Sequence, residues 1–194
     1  MNLLYLFRVG GSLIAARMHK RFLCFMTVAL LLALPAVAQS KKTTAPVHTV
    51  ATAAVPKLIG KFDDWTAATH AEGGETVCYA FTRVQSSVPT LPGRGPVILT
   101  VTERSSGRDS VAIEAGLSYP ANSAVTLQVD QAGLEFYTSG RNAFARDGKA
   151  VVAAFGKAGR AISRFPGPKE VTDTFSLKGF GAAHAAIVKA CPAK

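Results

Sequence analysis

Residues 125 to 138 read VTLQVDQAGLEFYT, and this stretch decides the fold class. Val125, Leu127 and Val129 alternate with polar residues, a period of two that predicts a strand with one buried face. The tetrapeptide DQAG then supplies turn chemistry, and the chain resumes an extended pattern up to Thr138. The stretch therefore predicts a β-hairpin.

Similar strand patterns between Gly, Pro or Ser turns recur along the chain, at residues 62–69, 76–83, 97–104, 110–115, 143–145, 161–165 and 171–177. Helical spacing occurs at residues 147–157, where Asp147 can cap the N-terminus, and at residues 181–191. Strands do not alternate with helices, which disfavours a parallel α/β sheet. The sequence predicts a mainly β fold: a single antiparallel β-sandwich or flattened barrel with one short internal helix and a C-terminal helix.

Residues 1–38 have the pattern of a signal peptide. Basic residues 20–21 precede an apolar run over residues 22–34, and alanines at 36 and 38 fit a signal peptidase cleft. We predict cleavage after Ala38, with an uncleaved anchor as the alternative, and interpret Met18 as the true start. The apolar run is shorter than the roughly 20 residues of a transmembrane helix, so we expect no membrane span after cleavage.

The rest of the chain divides into two parts. Residues 39–60 are rich in Thr, Ala, Lys, Val and Pro without a sustained period, which predicts a flexible linker. Residues 61–194 are long enough for one β domain with its own core. Export places this domain in the periplasm, at the cell envelope or outside the cell.

Two cysteines, Cys78 and Cys191, remain after the leader is removed. Export would place them where disulfides persist, and the absence of a C-x-x-C spacing argues against a zinc or redox site. We predict a Cys78–Cys191 disulfide that ties the C-terminal helix back to an early strand. Two unpaired buried thiols and intermolecular pairing are the alternatives.

The chain is basic, with a formal net charge of +10 that falls to +6 when the leader and its four basic residues are removed. The basic residues are dispersed and no basic run is interleaved with aromatics, so nucleic acid is not an expected partner. A basic exported protein is instead attracted to anionic lipid or glycan surfaces, although the charge is also explained by solubility alone.

No motif of a known catalytic or metal site occurs in the sequence. His70 borders a Gly-rich turn, and His184 lies in the C-terminal helix without a second ligand three or four residues away. We therefore predict no catalytic, cofactor-binding or metal-binding residues, no cofactor, and no enzymatic activity.

In order and spacing, several stretches resemble the invasion associated locus B protein family of Gram-negative bacteria. They are Phe62-x-x-Trp65, Val77-Cys78-Tyr79-Ala80, Arg94-Gly95-Pro96, Val111–Gly116 with Tyr119-Pro120, Val125–Asp130, Phe136-Tyr137-Thr138, Thr172–Leu177 with Gly179-Phe180, and Ala190-Cys191. The resemblance implies an exported β-rich domain linked to host-cell entry, without established catalytic residues, and it supports the predicted disulfide. Family members tend to have Phe-Gly-Asp-Trp where this chain has Phe62-Asp63-Asp64-Trp65, so we expect a different turn before Trp65.

The leading hypothesis is a non-enzymatic envelope protein that recognises an envelope or host protein, or an anionic glycan or lipid surface. We expect the contact surface on exposed loops at 86–95 and 139–147, with Arg94, Arg141 and Arg146 as its cations. An envelope hydrolase or transferase with a non-standard site, built around His70 or His184, is one alternative. A chaperone-like periplasmic stress factor with exposed sheet edges is the other.

Overall fold

The fold comes from a computed structural model that describes residues 55–166 and 169–193. The predicted signal peptide and residues 39–54 of the predicted linker lie outside the described residues. The described part contains ten strands, β1 Lys57–Phe62, β2 Trp65–Glu72, β3 Glu75–Val88, β4 Ile98–Glu103, β5 Ser110–Glu114, β6 Ala124–Val129, β7 Ala132–Ser139, β8 Asn142–Ala145, β9 Arg160–Phe165 and β10 Val171–Ser176. Its two helices are α1 Gly148–Phe155 and α2 Phe180–Ala190.

Eight of these strands close an antiparallel barrel. The order is β3-β10-β9-β6-β7-β8-β5-β4, and β4 pairs back to β3. Closure depends on the 14-residue length of β3, since its earlier residues pair with β4 and its last residues pair with β10. The β1–β2 hairpin extends outward from the first part of β3. The prediction of a mainly β fold is confirmed, as a barrel rather than a sandwich.

The apolar residues that alternate along the strands line the interior of the barrel. Val125, Leu127 and Val129 on β6 are buried, and the residues between them are partly exposed. The same alternation runs along β4, β5, β9 and β10. The predicted hairpin is confirmed as β6–β7, with Leu127 paired to Leu134.

Both helices lie toward one end of the barrel. Helix α2 packs on β1 to β4, and α1 packs on β5 and β7. Trp65, Phe155 and Phe180 join the helices to β2, with ring centroids 5.0 to 6.3 Å apart. Trp65 also donates a hydrogen bond from Nε1 to the Ser176 carbonyl at 3.0 Å. Asp147 caps α1 as expected, because its Oδ1 accepts from Ala150 N at 3.0 Å.

The predicted disulfide is confirmed. Cys78 and Cys191 are bonded, with their Cα atoms 5.9 Å apart. Both residues are buried, and Cys191 directly follows α2. The bond therefore fastens the end of the last helix to β3.

Three boundaries differ from the sequence predictions. Residues 57–60 of the predicted linker belong to β1, because Lys57 and Leu58 pair with β2. The predicted strand 62–69 is divided by a tight turn into β1 and β2. The predicted loop 86–95 begins later, since β3 continues to Val88 and pairs there with β10. The first two differences come from the tight β1–β2 hairpin, and the third comes from pairing with the distant β10.

The turn before Trp65 keeps the conformation that glycine favours although it contains none. Asp63 has a φ of 49°, and Phe62 and Trp65 pair directly across the turn. Asp tolerates the left-handed region better than most residues, because its short polar side chain can bond locally. Asp at position 63 therefore allows the turn that Gly would form, and the expectation of a different turn before Trp65 is wrong.

Candidate functional site

Arg94 is not part of an exposed contact surface, which corrects the sequence prediction. Its side chain is only 5% exposed and pairs with the buried Asp173. Nη1 and Nη2 donate to the two carboxylate oxygens of Asp173, each at 2.7 Å, and Nε donates to the Ala115 carbonyl at 2.6 Å. Ser87 also donates to Asp173, at 2.7 Å. This bidentate pair fastens the loop after β3 to β10 and to the end of β5.

Arg141 and Arg146 do stay at the surface, but in separate local contacts. The Arg141 side chain is 51% exposed and its Nη2 lies 3.9 Å from Glu114 Oε1. The Arg146 guanidinium lies over the ring of Tyr137, 5.7 Å from its centroid. Two of the three predicted cations, Arg141 and Arg146, are therefore accessible to solvent, and the third, Arg94, is buried in an ion pair.

An apolar cleft opens at the end of the barrel opposite the helices. Its volume is about 370 Å³, and the residues that line it include Leu91, Leu117, Pro120, Phe165, Lys169 and Val171. The cleft is far from α2, because Val171 begins β10 and Ser176, beside Trp65, ends it. Five residues of extended chain separate the two by about 17 Å.

Polar groups lie buried behind the apolar wall of this cleft. The Arg94 guanidinium is 5.5 Å from the centroid of Phe165, and the Tyr119 ring meets Phe165 edge-on at 5.0 Å. The Tyr119 hydroxyl is buried, and no group among the described residues forms a hydrogen bond with it. Burial and the nearby Asp173 raise the pKa of this phenol, so it remains protonated over the physiological range.

A second candidate site lies at the helical end, where three potential metal ligands meet. Glu103 ends β4, Asp109 precedes β5, and His184 comes from the middle of α2. His184 Nε2 lies 3.3 Å from Glu103 Oε1 and 3.5 Å from Asp109 Oδ1. Arg108 completes the group, with Nε 2.7 Å from Glu103 Oε2, and it also donates to the Cys191 carbonyl.

The electrostatics of this group are set by the buried Glu103, whose side chain is 0% exposed. Burial raises the pKa of the Glu103 carboxyl, the Arg108 charge opposes that shift, and the Asp109 charge adds to it. With a neutral imidazole, two carboxylates face one guanidinium, which leaves an excess negative charge next to His184.

Helical spacing could not reveal this group, because the partners of His184 lie outside its own helix. Two sequence signals were nevertheless present. The β4–β5 hairpin brings Glu103 close to Asp109, and His184 lies seven residues, or about two helical turns, before Cys191. The disulfide therefore brings His184 over the strand next to β3.

His70 lies in a simpler surface pair. Its Nε2 is 3.5 Å from Glu72 Oε2, and Arg104 binds the same oxygen at 2.7 Å. The Arg104 hydrogen bond and charge lower the pKa of Glu72. In the part of the chain that the structure describes, the ion pairs and hydrogen bonds of His70 and His184 involve carboxylates and no Ser or Thr hydroxyl.

Comparison with solved structures finds the same fold in an invasion-associated protein. The crystal structure of invasion associated protein B from Bartonella henselae matches with a TM-score of 0.52 and 18% sequence identity, covering 70% of this chain and 96% of that chain. At this identity the likeness concerns the fold. No protein-family model and no curated protein matches the sequence.

The described helices are both short. Neither is long and apolar enough to cross a membrane.

Proposed function

We propose that the protein is an exported, non-enzymatic cell-envelope protein that recognises a partner through the open end of its barrel. The observation that carries this proposal is the apolar cleft there, about 370 Å³ in volume. Pockets of that size with mostly apolar walls are typical of small-ligand sites. The fold shared with an invasion-associated protein and the signal-peptide pattern support a place in the envelope.

The cleft favours a lipid-like partner among those that the sequence suggested. Leu91, Leu117 and Phe165 offer an apolar wall that suits an acyl chain, and Lys169 lies at the lining as a cation for an anionic head group. The basic charge of the whole chain would attract the same anionic surfaces over a longer range.

Isothermal titration calorimetry with dodecanoate, dodecanol and dodecylamine would test this proposal by measuring their affinities for the protein. We expect saturable binding of dodecanoate, and a loss of about tenfold or more in affinity for Leu117→Asp, because a carboxylate in the cleft must be desolvated beside the ligand. Lys169→Gln should weaken dodecanoate binding and leave dodecanol binding unchanged.

The matched control is Leu58→Asp, which places the same charge on an exposed leucine of β1 away from the cleft. It should bind dodecanoate like the wild type. Absence of saturable binding of all three compounds, or equal losses in Leu58→Asp and Leu117→Asp, would contradict the proposal.

A second candidate function, chaperone-like binding, is favoured by one observation. Among residues 55–166 and 169–193, strand β1 pairs with β2 alone and ends the sheet, and its Leu58 is 61% exposed. Open edges with apolar side chains can add a strand from another chain. We expect the protein to suppress aggregation of a test protein with reduced disulfides at substoichiometric amounts. Leu58→Lys should weaken this suppression, and Leu117→Asp should leave it unchanged. Equal suppression by both variants would argue against this edge.

A further inference from the structure

We propose that Glu103, Asp109 and His184 form a site for one zinc ion. One ligand atom from each residue lies within 4.8 Å of the other two, and His184 Nε2 faces Glu103 Oε1 and Asp109 Oδ1. They come from β4, the β4–β5 loop and α2, so the fold and not a local motif assembles the site. The site is at the opposite end of the barrel from the cleft and does not depend on the proposed function.

Two of the three separations between ligand atoms match a tetrahedral ion. Zinc binds His nitrogen and carboxylate oxygen at about 2.0–2.2 Å, so neighbouring ligands in a tetrahedron lie about 3.3–3.6 Å apart. The two distances from His184 Nε2, 3.3 Å to Glu103 and 3.5 Å to Asp109, fall in that range. The third pair, the carboxylates of Glu103 and Asp109, approaches within 4.8 Å.

Glu103 is the most deeply buried of the three ligands, with a side chain that is 0% exposed. Its Oε2 is ion-paired with Arg108 Nε at 2.7 Å, while Oε1 faces His184 Nε2 and accepts a hydrogen bond from Asp109 N at 3.3 Å. Arg108 balances the charge of one of the two carboxylates, and a bound cation would balance the other. Arg108 would then act as an outer-shell partner that orients the ligand, as such groups do in metal sites.

The other two ligands are also held in position. The Phe180 ring stacks on the His184 imidazole at 5.4 Å, which fixes the plane of the imidazole. Asp109 has a φ of 53°, and a Cβ built on Gly148 would lie only 1.7 Å from its carbonyl oxygen. Only glycine at 148 therefore permits this close approach of α1 to the Asp109 backbone.

The ligand set favours zinc over the hard cations. Calcium requires six to eight oxygen ligands, and magnesium needs near-octahedral oxygen coordination, whereas this site offers two carboxylates and one imidazole. Mixed nitrogen and oxygen ligands suit zinc, and three protein ligands would leave one position for water.

The test is equilibrium dialysis of the purified untagged protein against ZnCl₂ near neutral pH, with bound metal measured by mass spectrometry. We expect one zinc per wild-type chain, an affinity at least about tenfold lower in His184→Gln and in Asp109→Asn, and no competition from equimolar Ca²⁺. Both positions are partly exposed and Asn tolerates positive φ, so these variants should fold, as circular dichroism would verify.

His70→Gln is the matched control. It removes a histidine that also pairs with a carboxylate, Glu72, but this pair belongs to no group of three potential metal ligands among the described residues. It should bind zinc like the wild type. If a variant does not fold, the zinc-dependent rise in the Tm of the wild type decides. Three results would each overturn the proposal. The wild type could bind no stoichiometric zinc or show no zinc-dependent rise in Tm, a folded His184→Gln could bind zinc with wild-type affinity, or His70→Gln could lose zinc affinity.

Discussion

Arg94→Ala should lower the free energy of unfolding by about 3–5 kcal/mol, because it leaves the carboxylate of Asp173 buried without its counter-ion. The pair is bidentate, with two N–O distances of 2.7 Å, and both side chains are at most 5% exposed. Urea denaturation of the purified protein would measure the change. Arg141→Ala removes the same side chain at a half-exposed position and should cost no more than about 1 kcal/mol.

Two further variants separate the ion pair from the volume that Arg94 fills. Arg94→Lys keeps a charge but cannot donate in the same planar fork, so we expect an intermediate loss of stability. Arg94→Ala combined with Asp173→Ala removes both charges and should cost less than the sum of the single changes. Additive losses, or a loss in Arg94→Ala no larger than in Arg141→Ala, would show that the pair is not coupled.

Arg94 also shows where sequence reasoning about surfaces fails. The residue lies among Pro and Gly in a segment that correctly predicts a loop, and charged loop residues are usually exposed. Its burial depends on Asp173, which is 79 residues away and reaches it only because β3 and β10 pair when the barrel closes. Barrel closure cannot be deduced from local alternation.

The fold itself was largely predictable because its determinants are local or covalent. Alternation of apolar and polar residues predicts strands such as β6, and a capping Asp147 predicts the start of α1. The two cysteines left after the predicted leader, with no C-x-x-C spacing, predict the disulfide. The strand order was not predictable, since pairing partners are chosen by the whole sheet. The candidate zinc site required that order, because only the pairing of β3 with β4 places Glu103 opposite Cys78 and hence below α2.

Replacing both cysteines, Cys78→Ala with Cys191→Ala, should destabilise the protein by about 2–5 kcal/mol, mainly because the unfolded chain loses a cross-link across 113 residues. The folded state should also change locally. The bond is the covalent link between α2 and β3, so amide exchange should accelerate in α2 more than in the β6–β7 hairpin at the same urea concentration.

The two cysteines also allow the same comparison without mutation. If the bond is formed, alkylation of the unreduced, denatured protein after removal of the leader should modify neither thiol, and alkylation after reduction should modify both. The reduced wild type should then unfold at the urea concentration of the double variant, because both lack only the cross-link. Identical midpoints for the oxidised and reduced protein would mean that packing of Phe180, Ala183 and Ile187 holds α2 in place by itself. The His184 ligand would in that case be positioned by the apolar face of the helix, since the disulfide would contribute nothing measurable to its docking.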